Sequence, residues 1–303
     1  MTPVQRTDLK ANGMKHILIL LAMVAALTAC GHRASDGNAQ QFAVDSIGLD
    51  REDSTTCIKI SVDWPTSGNK ALQDSIRQYI CEELAVKPYE EGKPEAKIYD
   101  DGKSAIEATS KENYEFMQTR KEEANSEGWG QGMQFSLYIN ILKMDESDTY
   151  VTYLSKNEGF MGGAHGYALA TGQTFRKSDG KRIGYSTEYN QETESFEIKN
   201  QTLFADTKSP KLAALIKEGV RSYFTDFDED VSSDERLKDI LNGVDDVNNI
   251  PLPSDAPCFT KEGLSFCYQQ YEIAPYAVGL ISFTIPYAEI RPFLTADAQD
   301  LIK

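Results

Sequence analysis

The string Gly162-Gly163-Ala164-His165-Gly166 is the part of the chain whose residue types point most directly to chemistry. Glycines allow positive φ angles and a close approach of the backbone to another chain or a ligand. His165 is the only histidine beyond residue 32, so it cannot join a histidine-cluster metal site, but its ring can bind a ligand or act as a general base. The pattern predicts first a tight loop whose ring satisfies local backbone groups, then ligand contact, and only then catalysis.

Cys30 is the second candidate, because of the segment that precedes it. A short basic segment is followed by an uncharged apolar run over 17–27 and by Leu27-Thr28-Ala29-Cys30. The run is too short for a membrane span and is typical of a signal peptide. Residues 27–30 resemble a bacterial lipobox, in which the cysteine thiol receives a diacylglyceryl group.

The leader therefore predicts where the protein is anchored. We predict a signal peptide over 1–29 whose true start is Met14, followed by a lipidated Cys30 and a flexible tether, which together span 30–50. Fatty acyl chains such as palmitate on the cysteine would hold the protein at a membrane. The alternative is an ordinary export signal followed by a chance cysteine.

Cys57, Cys81, Cys258 and Cys267 are candidate disulfide partners, because an even set of thiols in an oxidising compartment tends to pair. Sequence neighbours pair most simply, as 57–81 and 258–267, and the two other connectivities stay open. A two-residue turn at 262–263 would place Cys258 opposite Cys267, whereas a three-residue turn would separate them. For the other pair the chain length suits a bridge, but strand alternation places Cys57 away from the core. Neither spacing is that of a zinc site, and we expect no metal.

Acidic residues are abundant, but they form no recognisable catalytic motif. The run over 226–230 lacks the central glycine of an EF-hand, so it predicts a solvated acidic loop. The sequence contains no G-x-S-x-G, H-E-x-x-H or P-loop motif, and no carboxylate spacing selects a glycosidase pair. We therefore expect no cofactor and no enzyme, with a hydrolase that uses His165 or a carboxylate pair as the alternative.

The net charge excludes one class of partner. The 303-residue chain has 47 acidic and 31 Lys and Arg side chains, which gives a formal charge of −16. Removal of the leader, whose charge is +2, would leave −18. Such a surface repels phosphate backbones, so we expect no nucleic-acid partner.

Hydrophobic periodicity predicts the elements that must position these residues. Alternation predicts strands over 56–64, 133–141, 149–156, 166–176 and 277–285 and a hairpin over 257–269, while helical spacing predicts helices over 69–86, 103–126, 209–224, 233–241 and 286–294. Strands and helices do not alternate strictly, so the order indicates an α+β fold with mostly antiparallel sheets and packed helices. We expect two consecutive α/β subdomains, over 51–158 and 159–303.

Four segments, taken in order, resemble one family. They are the 162–166 string, Thr260-Lys261-Glu262-Gly263-Leu264, Tyr271-Glu272-Ile273-Ala274-Pro275-Tyr276-Ala277-Val278-Gly279 and Ile285-Pro286-Tyr287. The order resembles the extracytoplasmic domain of RsiV-type anti-sigma factors, which is shared with the non-catalytic N-terminal region of PdaC-type peptidoglycan deacetylases. The resemblance implies a PdaC-like first subdomain, an RsiV-like second subdomain and, in the best-understood type of member, lysozyme binding. The chain shows no sigma-binding segment, transmembrane helix or deacetylase motif, so those activities are not expected.

These observations predict a non-enzymatic, lipid-anchored binding module of the cell envelope, periplasmic or surface-facing. Its expected partner is a cell-wall glycan such as peptidoglycan, or a basic wall-degrading protein such as lysozyme. The candidate binding residues are Gly162, Gly163, His165, Gly166, Tyr271, Glu272 and Tyr276. We expect the two segments that carry them to lie near each other, because both are irregular, glycine-marked pieces that flank the second sheet. A structural envelope lipoprotein is the second alternative.

Overall fold

The computed structural model describes residues 41–87, 95–128, 130, 132–191, 195–227 and 229–302 of the chain. These described residues belong to one compact unit. The predicted signal peptide, Met14 and Cys30 lie outside the described residues, so the leader and the lipid anchor stay predictions. None of the helices in the described ranges is long and apolar enough to cross a membrane.

A six-stranded sheet forms the first layer of this unit. Its strands are β1 (Ala43–Glu52), β2 (Thr56–Ser67), β3 (Phe135–Glu146), β4 (Tyr150–Phe160), β5 (Tyr167–Arg176) and β6 (Arg182–Ile183), which lie side by side in that order. All neighbours pair antiparallel except β2 and β3, which are parallel. A parallel pair needs a crossover, and two helices, α1 (Lys70–Ala85) and α2 (Gly102–Ser126), provide it.

The two helices begin at capping side chains and bury one apolar face each. The Asn69 side chain accepts a hydrogen bond from the backbone N–H of Ala71, and Asp101 accepts one from Ser104, which satisfies free N–H groups of the first turns. The helices pack on the odd-numbered side of β3 and the even-numbered side of β2. The first core contains, among others, Ile58, Ile60, Val62, Leu72, Ile76, Ile80, Ile106, Met117, Leu137, Ile139, Ile141, Tyr153 and Phe175.

The remaining elements form a second layer with its own core. They are β7 (Ser186–Asn190), β8 (Ser195–Lys199), α3 (Pro210–Asp226), α4 (Asp234–Ile240), β9 (Cys258–Phe259), β10 (Gly263–Tyr268), β11 (Ile281–Pro286), α5 (Tyr287–Ile290) and α6 (Ala296–Gln299), with short 3-10 turns at Val247–Asn249, Tyr276–Val278, Arg291–Phe293 and Asp300–Ile302. Strands β9, β10 and β11 form an antiparallel sheet, and β7 pairs with β8. The chain is therefore an α+β protein with mostly antiparallel sheets, as predicted.

Two buried threonines join the layers. Val151 and Tyr153 face the helices, so Thr152 between them points to the opposite side of the sheet. Its hydroxyl donates to the carbonyl oxygen of Phe259 at 2.7 Å, and the N–H of Phe259 donates to the Thr174 hydroxyl at 2.9 Å. The two hydroxyls lie 2.9 Å apart. Strand β9 is thus hydrogen-bonded to the face of the first sheet.

The structure shortens the predicted tether, because part of it forms strand β1. Residues 43–50, which the sequence assigns to the tether over 30–50, lie in β1 and pair with β2. Ile47 and Leu49 pack at the margin of the first core. The strand escapes prediction because the alternating positions contain Gly48 and charged residues, which resemble a linker in composition.

The first sheet also continues past the predicted boundary between residues 158 and 159. Strand β4 spans this boundary, β5 pairs with β4, and Phe175 still belongs to the first core. The second core takes Tyr150 and Ile183 from this sheet, and its other members begin at Leu203. The two cores therefore divide the chain near β6, and the division into consecutive subdomains stays a prediction.

The predicted bridge between Cys57 and Cys81 is wrong, because both thiols are free and lie on opposite sides of β2. Cys81 packs in the first core. Cys57 points to the other face, where the Tyr138 hydroxyl lies 3.8 Å from its sulfur. Strand alternation, which argued against this bridge, is therefore the stronger constraint.

The bridge between Cys258 and Cys267 is also wrong, because the hairpin turns one residue earlier than predicted. The N–H of Thr260 donates to the carbonyl of Gly263, so Lys261 and Glu262 form the turn. This register pairs Cys258 with Ser265 instead of Cys267, and both thiols are free. Burial raises the pKa of each thiol to about 12, so both stay protonated at neutral pH.

Candidate functional site

The loop between β4 and β5 places His165 at the surface. Gly162 and Gly163 have φ angles of 90° and 93°, a conformation that favours glycine. A side chain at Gly166 would lie 2.6 Å from the carbonyl oxygen of Gly159, so the loop closes only with glycine there. Three of the glycines singled out in the sequence therefore shape the loop, and His165 is its exposed ring.

The segment after β10 places two tyrosines beside this loop. Ile273 and Ala274 are buried in the second core and anchor the segment. Tyr271 has a φ of 67°, which is uncommon for a bulky side chain, and its ring is 62% exposed. Tyr276 begins the 3-10 turn that the Tyr223 hydroxyl holds by donating to the Val278 carbonyl at 3.0 Å.

The structure brings the two predicted segments together as an aromatic cluster, defined by His165, Tyr271 and Tyr276. The rings of His165 and Tyr276 stack, with centroids 3.8 Å apart and an angle of 23° between their planes. The Tyr271 hydroxyl lies 3.2 Å from Nε2 of His165, and the two tyrosine centroids are 5.7 Å apart. The expected juxtaposition is present, while the binding role of these residues stays a prediction.

The hydrogen bonds of His165 define its tautomer. Nδ1 lies 2.8 Å from the carbonyl oxygen of Gly166, which can only accept, so Nδ1 carries the proton. Nε2 then accepts from the Tyr271 hydroxyl. Both ring nitrogens therefore have a partner, and the ring is oriented for stacking.

Glutamine side chains fasten the tyrosine segment to β5. The Gln270 side-chain oxygen accepts from the N–H of Ala168 at 2.9 Å, and that of Gln269 accepts from Ala170 at 3.1 Å. The Gln269 amide also donates to the Ala170 carbonyl at 2.8 Å. Because Tyr271 directly follows these two residues, the cluster is held against the same hairpin that carries His165.

Glu272 forms hydrogen bonds to backbone groups around its own segment. Its carboxylate accepts from the N–H groups of Ser254 and Gln269, at 2.5 and 2.7 Å. Burial raises its pKa above the ordinary value in spite of these two bonds. Both carboxylate oxygens of Glu272 therefore hold backbone N–H groups, which is a structural role.

The polar neighbours of His165 among the described residues are a backbone carbonyl and a phenol. Both ring nitrogens of His165 contact a carbonyl oxygen or a phenol, and no carboxylate of the described residues hydrogen-bonds to them. A catalytic histidine is usually oriented by an acidic group and faces a nucleophile. Nor does the described part of the chain contain a group of three or more His, Cys, Asp or Glu side chains arranged to hold a metal ion.

Sequence reasoning missed one half-buried acid, Glu83 on α1. Burial raises its pKa from 4.5 to about 7, while a hydrogen bond from Ser155 on β4 opposes the shift. On the same strand, Asn157 is 5% exposed, and its side-chain nitrogen has no hydrogen-bond partner among the described residues. The signal was in the sequence, because Glu83 follows Ile76 by seven residues and so lies on the apolar stripe of α1.

Comparison with known proteins identifies a domain in the second layer. Residues 201–288 match the family model DUF3298, described as a protein of unknown function, and this range contains Tyr271 and Tyr276 but not His165. The crystal structure of a DUF3298 family member from Bacteroides fragilis superposes with a TM-score of 0.62 and 18% identity, over 86% of this chain and 96% of that chain. A DUF3298 family protein from Pseudomonas aeruginosa gives 0.49 and 12%, over 87% and 97%. No curated protein matches the sequence. The Bacteroides likeness shows a shared fold.

Proposed function

We propose that this chain is an exported, lipid-anchored binding protein of the cell envelope, and that its aromatic cluster binds a cell-wall glycan. The observation that carries the proposal is the exposed Tyr271 ring beside the stacked pair of His165 and Tyr276. Grouped aromatic side chains with polar tips offer a flat apolar surface beside hydrogen-bonding groups, which suits recognition. The resemblance to the RsiV-type domain supports binding rather than catalysis.

The chemistry of the cluster suits a sugar. An aromatic face packs against the C–H groups on one side of a pyranose, and phenol oxygens can hydrogen-bond to its hydroxyls. Tyr271 offers both, because its ring is exposed and its hydroxyl lies at the rim beside Nε2 of His165. The glutamine contacts to β5 hold the segment in place, which lowers the entropy lost on binding.

Replacing Tyr271 by alanine is expected to weaken glycan binding about tenfold, because the exposed stacking face is lost. The measurement is isothermal titration with soluble peptidoglycan fragments and with chitin oligosaccharides. Phe196→Ala is the matched control, since Phe196 lies on β8 outside the cluster and is 67% exposed. Its affinity is expected to equal that of the unmodified chain.

Two results would contradict this assignment. One is the absence of binding to either glycan at low and at moderate salt. The other is an equal loss of affinity in the Tyr271 and Phe196 variants, which would place the glycan away from the cluster.

A basic protein is the second candidate partner, and the charge of −16 favours it. Lysozyme is the probe, because basic wall-degrading proteins are attracted to an acidic surface and such association slows steeply with salt. Titration of lysozyme at two salt concentrations distinguishes the candidates. Binding that survives moderate salt and is lost in Tyr271→Ala places lysozyme on the cluster, whereas binding that salt abolishes in every variant is nonspecific.

Replacing Cys30 by alanine is expected to move the protein from the membrane fraction to the soluble fraction. The thiol is the proposed attachment point of the acyl chains, each of whose methylenes contributes about 0.8 kcal/mol when buried in the bilayer. Fractionation and labelling with radioactive palmitate measure the change. Cys57→Ala is the control, and it is expected to keep both the label and the membrane association. Label that persists in the Cys30 variant would contradict a lipid anchor at this residue.

A further inference from the structure

The outer edge of β1 is a long strand edge with which none of the described residues pairs. β1 is ten residues long and lies first in the sheet, so β2 occupies only one of its sides. Among the described residues, the backbone of residues 43–52 pairs with β2 alone. An unpaired edge presents a row of N–H and C=O groups that another extended segment can use.

The opposite edge of the same sheet, formed by β5 and β6, is covered by other parts of the chain. There, β6 pairs with residues 174 and 175 of β5, and the Gln269 and Gln270 side chains bond to the backbone groups of Ala168 and Ala170. The fold thus covers one edge of the sheet with side-chain amides. The β1 edge has no such cover among the described residues.

Strand β1 is also held in position without a partner. Ile47 and Leu49 pack at the first core, and the Ser46 hydroxyl donates to Asp63 on β2 at 2.6 Å. The Arg51 guanidinium lies 5.2 Å from the centre of the Tyr114 ring on α2. An edge that is already anchored loses little entropy when a further strand is added.

The side chains of β1 specify what such a strand should contain. On the side toward the helices, Ile47 and Leu49 are only partly buried, so apolar side chains of an added strand could cover them. On the open side, the alternate residues include Asp50 and Glu52, which are exposed. Residues 45–53 contain four carboxylates and one guanidinium, and so they attract cations.

We propose that β1 binds an extended basic segment of a partner protein by strand addition, with Lys or Arg alternating with aliphatic residues. Main-chain hydrogen bonds would hold the segment, and the alternation would match the acidic and apolar sides of β1. A second copy of β1 fits less well, because antiparallel pairing about its centre places Asp45 opposite Asp50. The site is separate from the aromatic cluster and does not depend on the proposed glycan role.

The test uses the purified chain and the synthetic peptide Ac-KVKVKVKV-amide. Binding is measured by fluorescence titration, and its position by amide hydrogen exchange. We expect protection of residues 43–52, and roughly tenfold weaker binding when Asp50→Lys and Glu52→Lys are combined. The matched control combines Asp226→Lys and Glu229→Lys, which changes the net charge equally at another exposed acidic segment and should leave the affinity unchanged.

A second peptide separates strand addition from simple charge attraction. Methylation of alternate backbone nitrogens removes hydrogen-bond donors and keeps every side-chain charge. Two such peptides exist, methylated at the odd or at the even positions, and strand addition predicts that only one of them loses binding. Equal binding of all peptides would overturn the proposal, as would protection of 226–235 in place of 43–52. Dimerisation through β1 without peptide, seen as concentration-dependent protection of residues 43–52, would overturn it in favour of a second copy.

Discussion

Substitution of Gly172 by alanine is expected to destabilise the protein by about 3 kcal/mol. A Cβ at this position of β5 would lie against the sulfur of Cys258 and 2.9 Å from the Cys258 Cβ. Cys258 cannot withdraw easily, because the neighbouring Phe259 is held by Thr152 and Thr174 through both its N–H and its carbonyl group. Denaturant unfolding, followed by circular dichroism, measures the change.

Two further variants give this prediction its control. Gly48→Ala adds the same methyl group to an exposed glycine of the same sheet, where the nearest atom lies at 3.7 Å, and is expected to change the stability little. Combining Gly172→Ala with Cys258→Gly removes the clashing side chain and is expected to recover part of the loss. Equal stability of Gly172→Ala and the unmodified protein would show that β9 does not pack on β5 as described.

The elements that sequence predicts well are those with one face buried. Ile58, Ile60 and Val62 alternate because β2 has the helices on one side only, and the stripe of α1 repeats every three to four residues for the same reason. Strand β1 was missed because an edge strand needs few apolar residues, and Gly48 further weakens its pattern. Burial produces the periodicity, so an element with little burial shows little of it.

The hairpin between β9 and β10 shows a different limit. Gly263 suggests a turn residue, but it lies in β10, where a side chain would come within 2.8 Å of the Ile285 carbonyl carbon on β11. The glycine is required by a neighbouring strand and not by the turn. A contact with a third strand cannot be read from the local sequence. The observed register differs from the predicted one by two residues, so Cys258 and Cys267 do not lie opposite each other.

The aromatic cluster was predictable in outline only. The glycines around His165 indicate an irregular loop, and the segment that contains Tyr271 and Tyr276 is expected near it because both flank the second sheet. The stacking of His165 on Tyr276 depends on contacts between residues about a hundred positions apart, such as the bonds of Gln269 and Gln270 to β5. No periodicity marks these glutamines, because a single polar residue in a loop has no pattern.

Replacing Glu83 by glutamine is expected to stabilise the protein by about 2 kcal/mol at pH 8 and to change little at pH 4.5. Burial raises the pKa of Glu83 from 4.5 to about 7, helped by the charges of Asp255 and Glu82 and opposed by Ser155 and Arg182. The folded state therefore binds this proton more tightly than the unfolded chain. Its contribution to stability is complete below pH 4.5 and is lost as the pH rises through about 7, whereas glutamine stays neutral throughout.

The comparison between variants isolates this carboxyl group from the other half-buried acid. Burial also raises the pKa of Glu272, so part of the loss of stability with rising pH should remain in Glu83→Gln. The difference in unfolding free energy between the two proteins, measured by denaturant titration from pH 4.5 to 8, therefore belongs to Glu83 alone. Glu115→Gln on α2, where the glutamate is exposed, should run parallel to the unmodified protein. If that parallel course is also seen for Glu83→Gln, the carboxyl group is solvated in the folded state and α1 does not bury it against β4.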